Sequence, residues 1–266
     1  MPTDAQTPEE ASDGPRPVAL ITGATRRIGA ALAEALAEQG WDLALHYRSD
    51  AEATEALAER LRGHGIDARC FSADLARPAA RSWLVPAVFD TFGRLDALIL
   101  NASLFEYDTL FDLSEDKLNR HFSVNVAAPL VMARDFVNRA ARGASLVAIL
   151  DQKVVNPNPD FFSYTVSRAA LHGMIKPLAQ AAATRGVRVN AIAPGLTLPS
   201  AAHPNADFES GRKATPLGLS STTEDLAFAL LYLLHTPSVT GQTLVVDGGE
   251  SLTGRPRDID FDVTKY

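Results

Sequence analysis

The chain has 266 residues, of which 46% are hydrophobic and 21% charged, and its formal net charge is −7. This length and composition are typical of a globular protein with one substantial core. The acidic balance argues against a nucleic-acid partner, which requires clustered Lys and Arg, and the single cysteine, Cys70, excludes an intrachain disulfide and a thiolate metal cluster.

The two ends of the chain and its longest apolar run set its expected location. The first sixteen residues carry acids, prolines and small polar residues, so we expect a flexible tail and not a signal segment. The longest apolar run, residues 226–234, is shorter than the roughly 20 residues that cross a bilayer, so no membrane partner is expected. The single thiol favours a reducing compartment, and we expect the protein to be cytoplasmic.

Between residues 17 and 253, short β-rich runs alternate with longer helical patterns. In chain order the predicted strands read PVALI, WDLALHY, DARCFS, LDALIL, SLVAIL, VRVNAIA and QTLVVD, and helical patterns separate them. Continuous apolar strands that alternate with helices are typical of a parallel sheet covered on both faces. The sequence therefore predicts an α/β fold with a single doubly wound parallel sheet of about seven strands, a Rossmann fold with helices on both faces. No linker or internal repeat divides the chain, so one domain is predicted.

Two segments near the end of the chain differ from this pattern. Residues 196–221 are rich in Pro, Gly, His, Asn and Ser, with one possible short helix near 207–214. A long insertion at the carboxyl end of a strand suits a substrate lid. Residues 254–266 extend beyond the last strand as a C-terminal tail, which we expect to be disordered.

A glycine-containing turn follows the first predicted strand and leads into a helix. It reads TGATRRIG, from Thr22 to Gly29. Such a turn exposes backbone N–H groups at the positive end of a helix, which suits a pyrophosphate. The predicted cofactor contacts in this turn are Gly23, Thr25, Arg26, Arg27, Ile28 and Gly29.

The end of the second strand indicates which dinucleotide binds. A fold that prefers NAD usually places an acid here, whereas this chain has His46, Tyr47, Arg48 and Ser49 before its nearest acid, Asp50. Guanidinium groups match phosphate oxygens, so Arg26 or Arg27, together with Arg48 and Ser49, is predicted to hold a 2′-phosphate. This favours NADPH as the cofactor. The alternative is a solvated loop with ordinary surface arginines.

The segment DQKVVNPNPDFFSYTVSR joins an acid, a phenol and a fixed cation. Asp151 ends an aliphatic strand, and Tyr164 and Arg168 lie one turn apart at the start of a helical pattern. An acid and a phenol near one cation favour a proton-donating site. Taken alone, the pattern also fits a Tyr and an Arg on a solvated helix surface.

These motifs together resemble the short-chain dehydrogenase/reductase family. The resemblance covers about residues 17–253 and continues, after the TGATRRIG turn, with Asp74-Leu75, Asn101-Ala102-Ser103, Asn125, the Tyr164 helix, Pro194-Gly195 and VVDGG. Within the family the chain is most similar to pteridine reductases and dihydromonapterin reductases. Those enzymes carry Arg at the position of Arg27, a basic end to the second strand, Asp at the position of Asp151 and an aromatic residue at the position of Phe105.

The resemblance implies an NADPH-dependent reduction of a dihydropterin-like ring to its tetrahydro form. It assigns Tyr164 as the proton-donating phenol, Asp151 as its acidic partner and a pterin contact, Asn125 as the holder of a proton-relay water, and Phe105 as an aromatic wall over the substrate. Alternatively, Phe105 is a core residue. The further cofactor contacts that the resemblance implies are Asp74, Leu75, Asn101, Ala102, Ser103, Tyr164, Arg168, Pro194, Gly195, Leu196 and Thr197. Asp74 alternatively caps the next helix.

Arg168 departs from the family pattern, which has Lys at this position. Arg keeps the charge but effectively never deprotonates, so the ordinary proton relay is affected. Two alternatives therefore stay open: a carbonyl reductase that acts on a ketone or acyl thioester, and an NADP-binding protein with little or no turnover. The six histidines lack ligand spacing, so no catalytic metal is expected.

The resemblance also concerns assembly. It implies a homotetramer whose partner molecule is a small pterin-like substrate. In family tetramers the end of one chain approaches a neighbour's active site, which here would involve Arg255 or Arg257. This is the alternative to a disordered tail.

Overall fold

Seven strands form one parallel sheet in the computed structural model, which describes residues 14–199, 208–258 and 261. The strands are β1 (Val18–Ile21), β2 (Asp42–Tyr47), β3 (Ala68–Ser72), β4 (Ala97–Leu100), β5 (Ser145–Ile149), β6 (Arg188–Pro194) and β7 (Thr243–Val246). Their order is β3-β2-β1-β4-β5-β6-β7, and every pair is parallel. The predicted doubly wound sheet is confirmed.

Helices cover both faces of this sheet. They are α1 (Arg27–Glu38), α2 (Ala51–Arg62), α3 (Pro78–Phe92), α4 (Glu115–Phe122), α5 (Ala128–Arg139), α6 (Phe162–Ala183), α7 (Phe208–Lys213) and α8 (Thr223–His235). One core cluster joins α3, α5 and α6 to the sheet, and the other joins α1, α2 and α8 to its opposite face. Along β1, Val18 and Leu20 belong to the first cluster, and Ala19 and Ile21 belong to the second. Burial on both faces explains the continuous apolar strands of the sequence.

The strand order places a crevice where the site is expected. After β3 the chain crosses to the other side of β1 and continues as β4, so the connections that leave β1 and β4 run to opposite sides. Ligands of open α/β sheets bind at such a switch point, outside the carboxyl ends of the strands. The turn after β1, the segment after β4 and the residues that follow β5 and β6 all meet at this edge.

The lid and both tails are described in part. The short helix expected near 207–214 is observed as α7, and residues 200–207 lie outside the described part of the chain. The expected flexible N-terminal tail lies outside it as well, apart from residues 14–16. The expectation of a disordered C-terminal tail is wrong for residues 254–258, since Arg255 Nη2 donates to the Ala214 carbonyl oxygen at 2.8 Å and Arg257 Nε donates to Asp160 Oδ2 at 2.8 Å. In the described residues, no helix combines the length and apolarity needed to cross a bilayer.

Gly29 and Gly173 provide a matched pair of substitutions. A Cβ on Gly29 lies 2.2 Å from the carbonyl oxygen of Gly23 and 2.7 Å from Asn101 Nδ2, whereas a Cβ on Gly173, inside α6, has no atom within 4 Å. We expect Gly29→Ala to lower the free energy of unfolding by roughly 1–3 kcal/mol through overpacking. Gly173→Ala should raise it by about 0.5–1 kcal/mol, because Ala is the better helix former. Urea denaturation measures both, and equal effects would contradict the packing at the turn.

Candidate active site

One cavity of about 900 Å³ lies at the carboxyl ends of the strands and collects the predicted site residues. All of them line it except Asn125. The turn after β1 forms one end, the residues after β2 and β3 form the adjoining wall, and Asp151, Tyr164 and Arg168 lie at the other end. The sheet therefore brings together residues that are more than 100 positions apart in the sequence.

The turn after β1 has the geometry of an anion cradle. Gly23 has a φ of +65°, and Asn101 Nδ2 donates to the carbonyl oxygens of Thr22 and Gly23, both at 3.0 Å. Gly29 leaves room only for hydrogen against the Gly23 carbonyl. The N–H groups at the start of α1 are thus held toward the cavity without a side chain between them and a phosphate.

Arg27 has an unusual backbone and an unexpected partner. Its φ of +55° lies in the left-handed region that favours glycine, and its guanidinium donates to the carbonyl oxygens of Pro199 at 2.8 Å and Leu198 at 3.4 Å. Arg27 therefore links the turn to the start of the segment that the sequence predicts to be a lid. Which of the two arginines, Arg26 or Arg27, contacts the 2′-phosphate stays a prediction.

Arg26 lies beside the loop after β2, where a residue predicted to hold a 2′-phosphate together with Arg48 and Ser49 must lie. It forms an ion pair with Asp50, whose second oxygen accepts from the Ala53 N–H at 3.1 Å and caps α2. Arg48 and Ser49 are exposed at the rim of the cavity, and their side chains make no hydrogen bond within the described residues. The nearest acid is thus engaged by Arg26, while Arg48 is exposed at the rim of the cavity.

His46 is buried beneath the turn and organises it. Its Nδ1 accepts from the Gly23 N–H at 3.0 Å, and its Nε2 lies 2.9 Å from the Ala73 carbonyl oxygen, to which it donates. This arrangement requires the neutral ring with the proton on Nε2, and burial lowers the pKa of His46 in agreement. The predicted cofactor residue is therefore chiefly a support that ties the turn to the end of β3.

The wall after β3 and the start of the lid hold further predicted residues. Asp74 Oδ1 accepts from the Ala76 N–H at 3.1 Å, which closes a local turn before α3, and Leu75 is buried. Thr197 Oγ1 donates to the Gly195 carbonyl at 3.0 Å. These contacts fix the backbone at two points of the cavity wall.

The acid and the phenol meet as the sequence predicts. Tyr164 Oη donates to Asp151 Oδ2 at 2.9 Å, and the Lys153 N–H donates to Asp151 Oδ1 at 2.9 Å. Burial raises the pKa of Asp151, against the opposing charge of Lys153. Burial also raises the pKa of Tyr164, the Asp151 charge adds to the effect, and Arg168 opposes it. The pair therefore holds its protons and suits donation better than abstraction.

Arg168 lies one turn from Tyr164 and is only 3% exposed. The centre of its guanidinium is 5.3 Å from the centroid of the Tyr164 ring. Its Nε is buried and has no hydrogen-bond partner among the residues that the structure describes. Since a buried charged donor is costly without an acceptor, a polar ligand in the cavity is its natural partner. The hydroxyl groups of a cofactor ribose fit this requirement.

Phe105 stands beside the phenol and is 39% exposed. It stacks on Phe161 at a centroid distance of 4.2 Å and meets the Tyr164 ring edge-on at 4.7 Å. Phe161 is fully buried and has a φ of +55° just before α6. A strained, buried residue thus supports an aromatic surface at the wall of the cavity.

Asn125 holds the site from behind. It lies in a π-helical turn (Ser123–Ala127) between α4 and α5 and is fully buried. Its Oδ1 accepts from the Leu104 N–H at 2.7 Å, and its Nδ2 donates to the Leu104 carbonyl at 3.0 Å and to Ser167 Oγ at 2.9 Å. The side chain therefore fixes the segment before Phe105 against α6.

The sequence prediction omits several residues of the cavity wall, among them four polar ones: Gln152, Lys153, Glu250 and Asp258. Glu250 directly follows the VVDGG motif. An acid next to a motif glycine is the sequence feature that could have identified it as a site residue. Glu250 Oε2 accepts from the Leu196 N–H at 3.0 Å, and Oε1 accepts from Gln152 Nε2 at 3.3 Å. Burial raises the pKa of Glu250 to about 7, although the Leu196 N–H opposes the shift. Among the described residues, no group of three or more His, Cys, Asp or Glu side chains is arranged to hold a metal ion.

The raised pKa of Glu250 gives the stability a defined pH dependence. The folded state binds the proton more tightly than the unfolded state, whose Glu has a pKa near 4.5, so this stabilisation is present at low pH and is lost as the pH rises to about 7. We expect Glu250→Gln to gain stability relative to the unchanged protein between pH 4.5 and pH 8, by up to roughly 3 kcal/mol. Urea denaturation across this range measures the difference, and parallel pH curves would contradict it.

Comparison with known proteins agrees with this geometry. A family model described as Enoyl-(Acyl carrier protein) reductase matches residues 23–251. An uncharacterized oxidoreductase of Methylorubrum extorquens is 30% identical, with 87% of this chain and 96% of that protein covered. The 3-oxoacyl-[acyl-carrier-protein] reductase FabG of Staphylococcus aureus is 29% identical over the same shares.

Solved structures are similar over nearly the whole chain. FolM alternative dihydrofolate reductase 1 from Brucella suis, in complex with NADP, has a TM-score of 0.84 and 38% identity and covers 89% of this chain and 95% of its own. The protein of the same name from Brucella canis, also with NADP, has a TM-score of 0.82 and 37% identity, with shares of 89% and 94%. A short chain dehydrogenase from Burkholderia cenocepacia with NADP has a TM-score of 0.81 and 31% identity, with shares of 87% and 96%. These complexes agree with the prediction of NADPH, and the chain belongs to the short-chain dehydrogenase/reductase family.

Proposed function

We propose that the protein is an NADPH-dependent reductase of a pterin-like ring. The observation that carries the proposal is the buried hydrogen bond from Tyr164 Oη to Asp151 Oδ2, at 2.9 Å, at one end of a cavity with a phosphate cradle at the other. An acid–phenol pair whose pKa values are raised by burial suits a reaction that adds a proton to a ring nitrogen. The two Brucella structures, described as alternative dihydrofolate reductases, support a substrate of the pterin and folate class.

The described residues fit the cofactor along the whole cavity. The N–H groups of the turn from Thr25 to Ile28 would hold the pyrophosphate, and Arg26, Arg48 and Ser49 would hold the 2′-phosphate. The unpartnered Nε of Arg168 would donate to the ribose next to the nicotinamide. When bound, NADPH supplies the hydride.

Proton delivery is the part of the reaction that the chain itself performs. Tyr164 Oη donates to Asp151 Oδ2, and burial raises the pKa of both groups, so each holds its proton more tightly than it would in water. Arg168 stays charged and takes no part in proton transfer. The proton therefore reaches the substrate nitrogen from the acid–phenol pair, directly or through water, as the adjacent ring carbon is reduced.

The substrate end of the cavity suits a flat heterocycle. The half-exposed Phe105 ring stands beside Tyr164, and Asp151 lies within hydrogen-bond distance of the phenol. A planar ring that lies against Phe105 presents its edge to this pair. Phe161, stacked on Phe105, keeps the aromatic wall in place.

The FabG relatives favour a second candidate, the reduction of a ketone or acyl thioester. The raised pKa values of Tyr164 and Asp151 suit proton donation in C=N reduction better. The third candidate, a dinucleotide-binding protein with little turnover, depends on whether Arg168 replaces Lys in catalysis. The homotetramer implied by the family resemblance is an expectation that light scattering in solution would measure.

The first test compares two classes of substrate and removes the phenol oxygen of Tyr164. We expect the purified protein to oxidise NADPH with 7,8-dihydrobiopterin or dihydromonapterin, and only weakly with an acetoacetyl thioester. Tyr164→Phe should lower kcat by about 10²-fold or more, because a positioned proton donor contributes 10²–10⁴-fold, while NADPH binding measured by fluorescence persists.

Arg168→Lys separates the remaining candidates. A comparable kcat in this variant and the unchanged protein would show that Arg serves the reaction. Activity that appears only with Lys would contradict the proposal and favour the binding protein. Activity on the thioester alone would favour the carbonyl reductase.

The loop after β2 predicts a preference between cofactors. Because Arg48 is exposed at the rim and makes no hydrogen bond within the described residues, we expect Arg48→Ala to weaken NADPH binding by roughly 10–100-fold, with little change for NADH. Arg60→Ala is the matched control, because Arg60 is an exposed residue of α2 that does not line the cavity. Its Nη2 lies 3.8 Å from Glu34 Oε2. Equal losses for both cofactors would contradict a 2′-phosphate contact.

A further inference from the structure

The C-terminal segment, here residues 254–258 with Phe261, is anchored next to the proton-donating pair of its own chain. The carboxylate of Asp160, a residue only 2% exposed, accepts from Arg257 Nε and Nη2 and from the Asp258 N–H, each at 2.8 Å. The Phe261 ring packs on Tyr107 at a centroid distance of 5.1 Å. These contacts place Asp258, which is 8% exposed, in the wall of the cavity.

Lys153 is the partner of Asp258 and is itself buried, at 4% exposure. Its Nζ forms an ion pair with Asp258, donates to Asn158 Oδ1 at 3.2 Å and to the Asp160 carbonyl at 3.3 Å, and lies 4.9 Å from the centroid of the Phe161 ring. The backbone N–H of the same residue donates to Asp151 Oδ1. The residue that carries this buried cation thus also binds the acid of the site through its backbone.

Charged and titratable groups face Asp151 from four elements. Tyr164 and Arg168 come from α6, and Lys153 comes from the 3₁₀ turn after β5 (Gln152–Val154). Glu250 comes from the turn after β7, and Asp258 comes from the C-terminal segment. Lys153 and Asp258 act on Asp151 in opposite senses, since the first lowers its pKa and the second raises it.

We propose that Asp258 neutralises Lys153 and thereby keeps the proton on Asp151, so that the C-terminal segment is a positioning element of proton donation in its own chain. This inference rests on the proposed role of Asp151 in proton delivery. Asp258 and Lys153 act through Asp151, and neither needs to touch the reacting atoms.

The physical basis is the weak screening between buried charges. A Lys charge without its partner, held next to a buried carboxyl group, stabilises the carboxylate and releases its proton at lower pH. Asp258 cancels most of this field because it contacts the Lys153 Nζ directly. Burial also makes the pair sensitive to the loss of one member, since a single buried charge is costly.

A double-mutant cycle on the pH profile of kcat tests the inference. Activity requires protonated Asp151, so it falls as the pH rises through the pKa of this group. We expect Asp258→Asn to move this fall to lower pH by one unit or more. At pH values above the fall, kcat of this variant is then lower than that of the unchanged protein by a factor of ten or more. Lys153→Met should move the fall to higher pH, and the double variant should return close to the unchanged protein. Asp112→Asn, an exposed acid outside the cavity, is the control and should keep the original profile.

A second measurement does not depend on turnover. The carboxyl ¹³C resonance of Asp151, assigned by its loss in Asp151→Asn, is titrated by NMR in the NADP⁺ complex of each variant. Displacements of this titration in the stated directions support the inference even where no pterin is reduced, in which case only the proposed function has failed.

The outcomes that overturn the inference are defined for both variants. Titrations of Asp258→Asn and the unchanged protein that superimpose, with melting temperatures showing intact folds, would overturn it. If Asp258→Asn does not fold, Lys153→Met decides alone, because it removes the charge that needs a partner. No upward displacement in that variant would equally overturn the inference.

Discussion

Burial of the sheet on both faces is the constraint on which the rest of the molecule depends. Between α3, α5 and α6 on one side and α1, α2 and α8 on the other, the strands β1, β4, β5 and β6 are buried along their whole length. Functional groups can therefore emerge only where strands end, and in a parallel sheet the carboxyl ends lie together. The turn after β1, Asp151 after β5 and Gly195 after β6 reach one cavity for this reason.

At that edge, the acidic side chains and the lysine of the substrate end each have a hydrogen-bond or ion-pair partner. Asp151 shares a hydrogen bond with Tyr164, Glu250 binds a backbone N–H and an amide, and Lys153 is matched by Asp258. Burial raises the pKa of Asp151 and Glu250, so the substrate end of the cavity carries less negative charge than its composition indicates. The opposite end, by contrast, presents Arg48 to solvent. One end of the cavity thus exposes a cation that is proposed to bind a phosphate. At the other end, burial makes Asp151 and Glu250 hold their protons more tightly.

The sequence predicted the sheet, the phosphate turn and the Tyr164–Asp151 pair, because each depends on local pattern or on strand ends that must meet. It did not predict the roles of Lys153, Glu250 and Asp258. Their proximity arises from tertiary packing across about one hundred residues, and no local periodicity records it. The same limit explains Arg27, whose side-chain direction is fixed by a positive φ and by lid carbonyls that the turn motif does not contain. His46 was located correctly at the cavity, but its burial under the turn depends on the register of β2 and β3.

The left-handed backbone of Arg27 sets a limit on how this protein can be improved by mutation. A non-glycine residue in that region costs about 1–2 kcal/mol, which a glycine would recover. The same replacement would delete the guanidinium that joins the phosphate turn to Leu198 and Pro199. Thermostability and the link between the glycine turn and the segment after β6 therefore compete at a single position. Selection for a more heat-resistant protein would act against the residue that connects those two parts of the cavity.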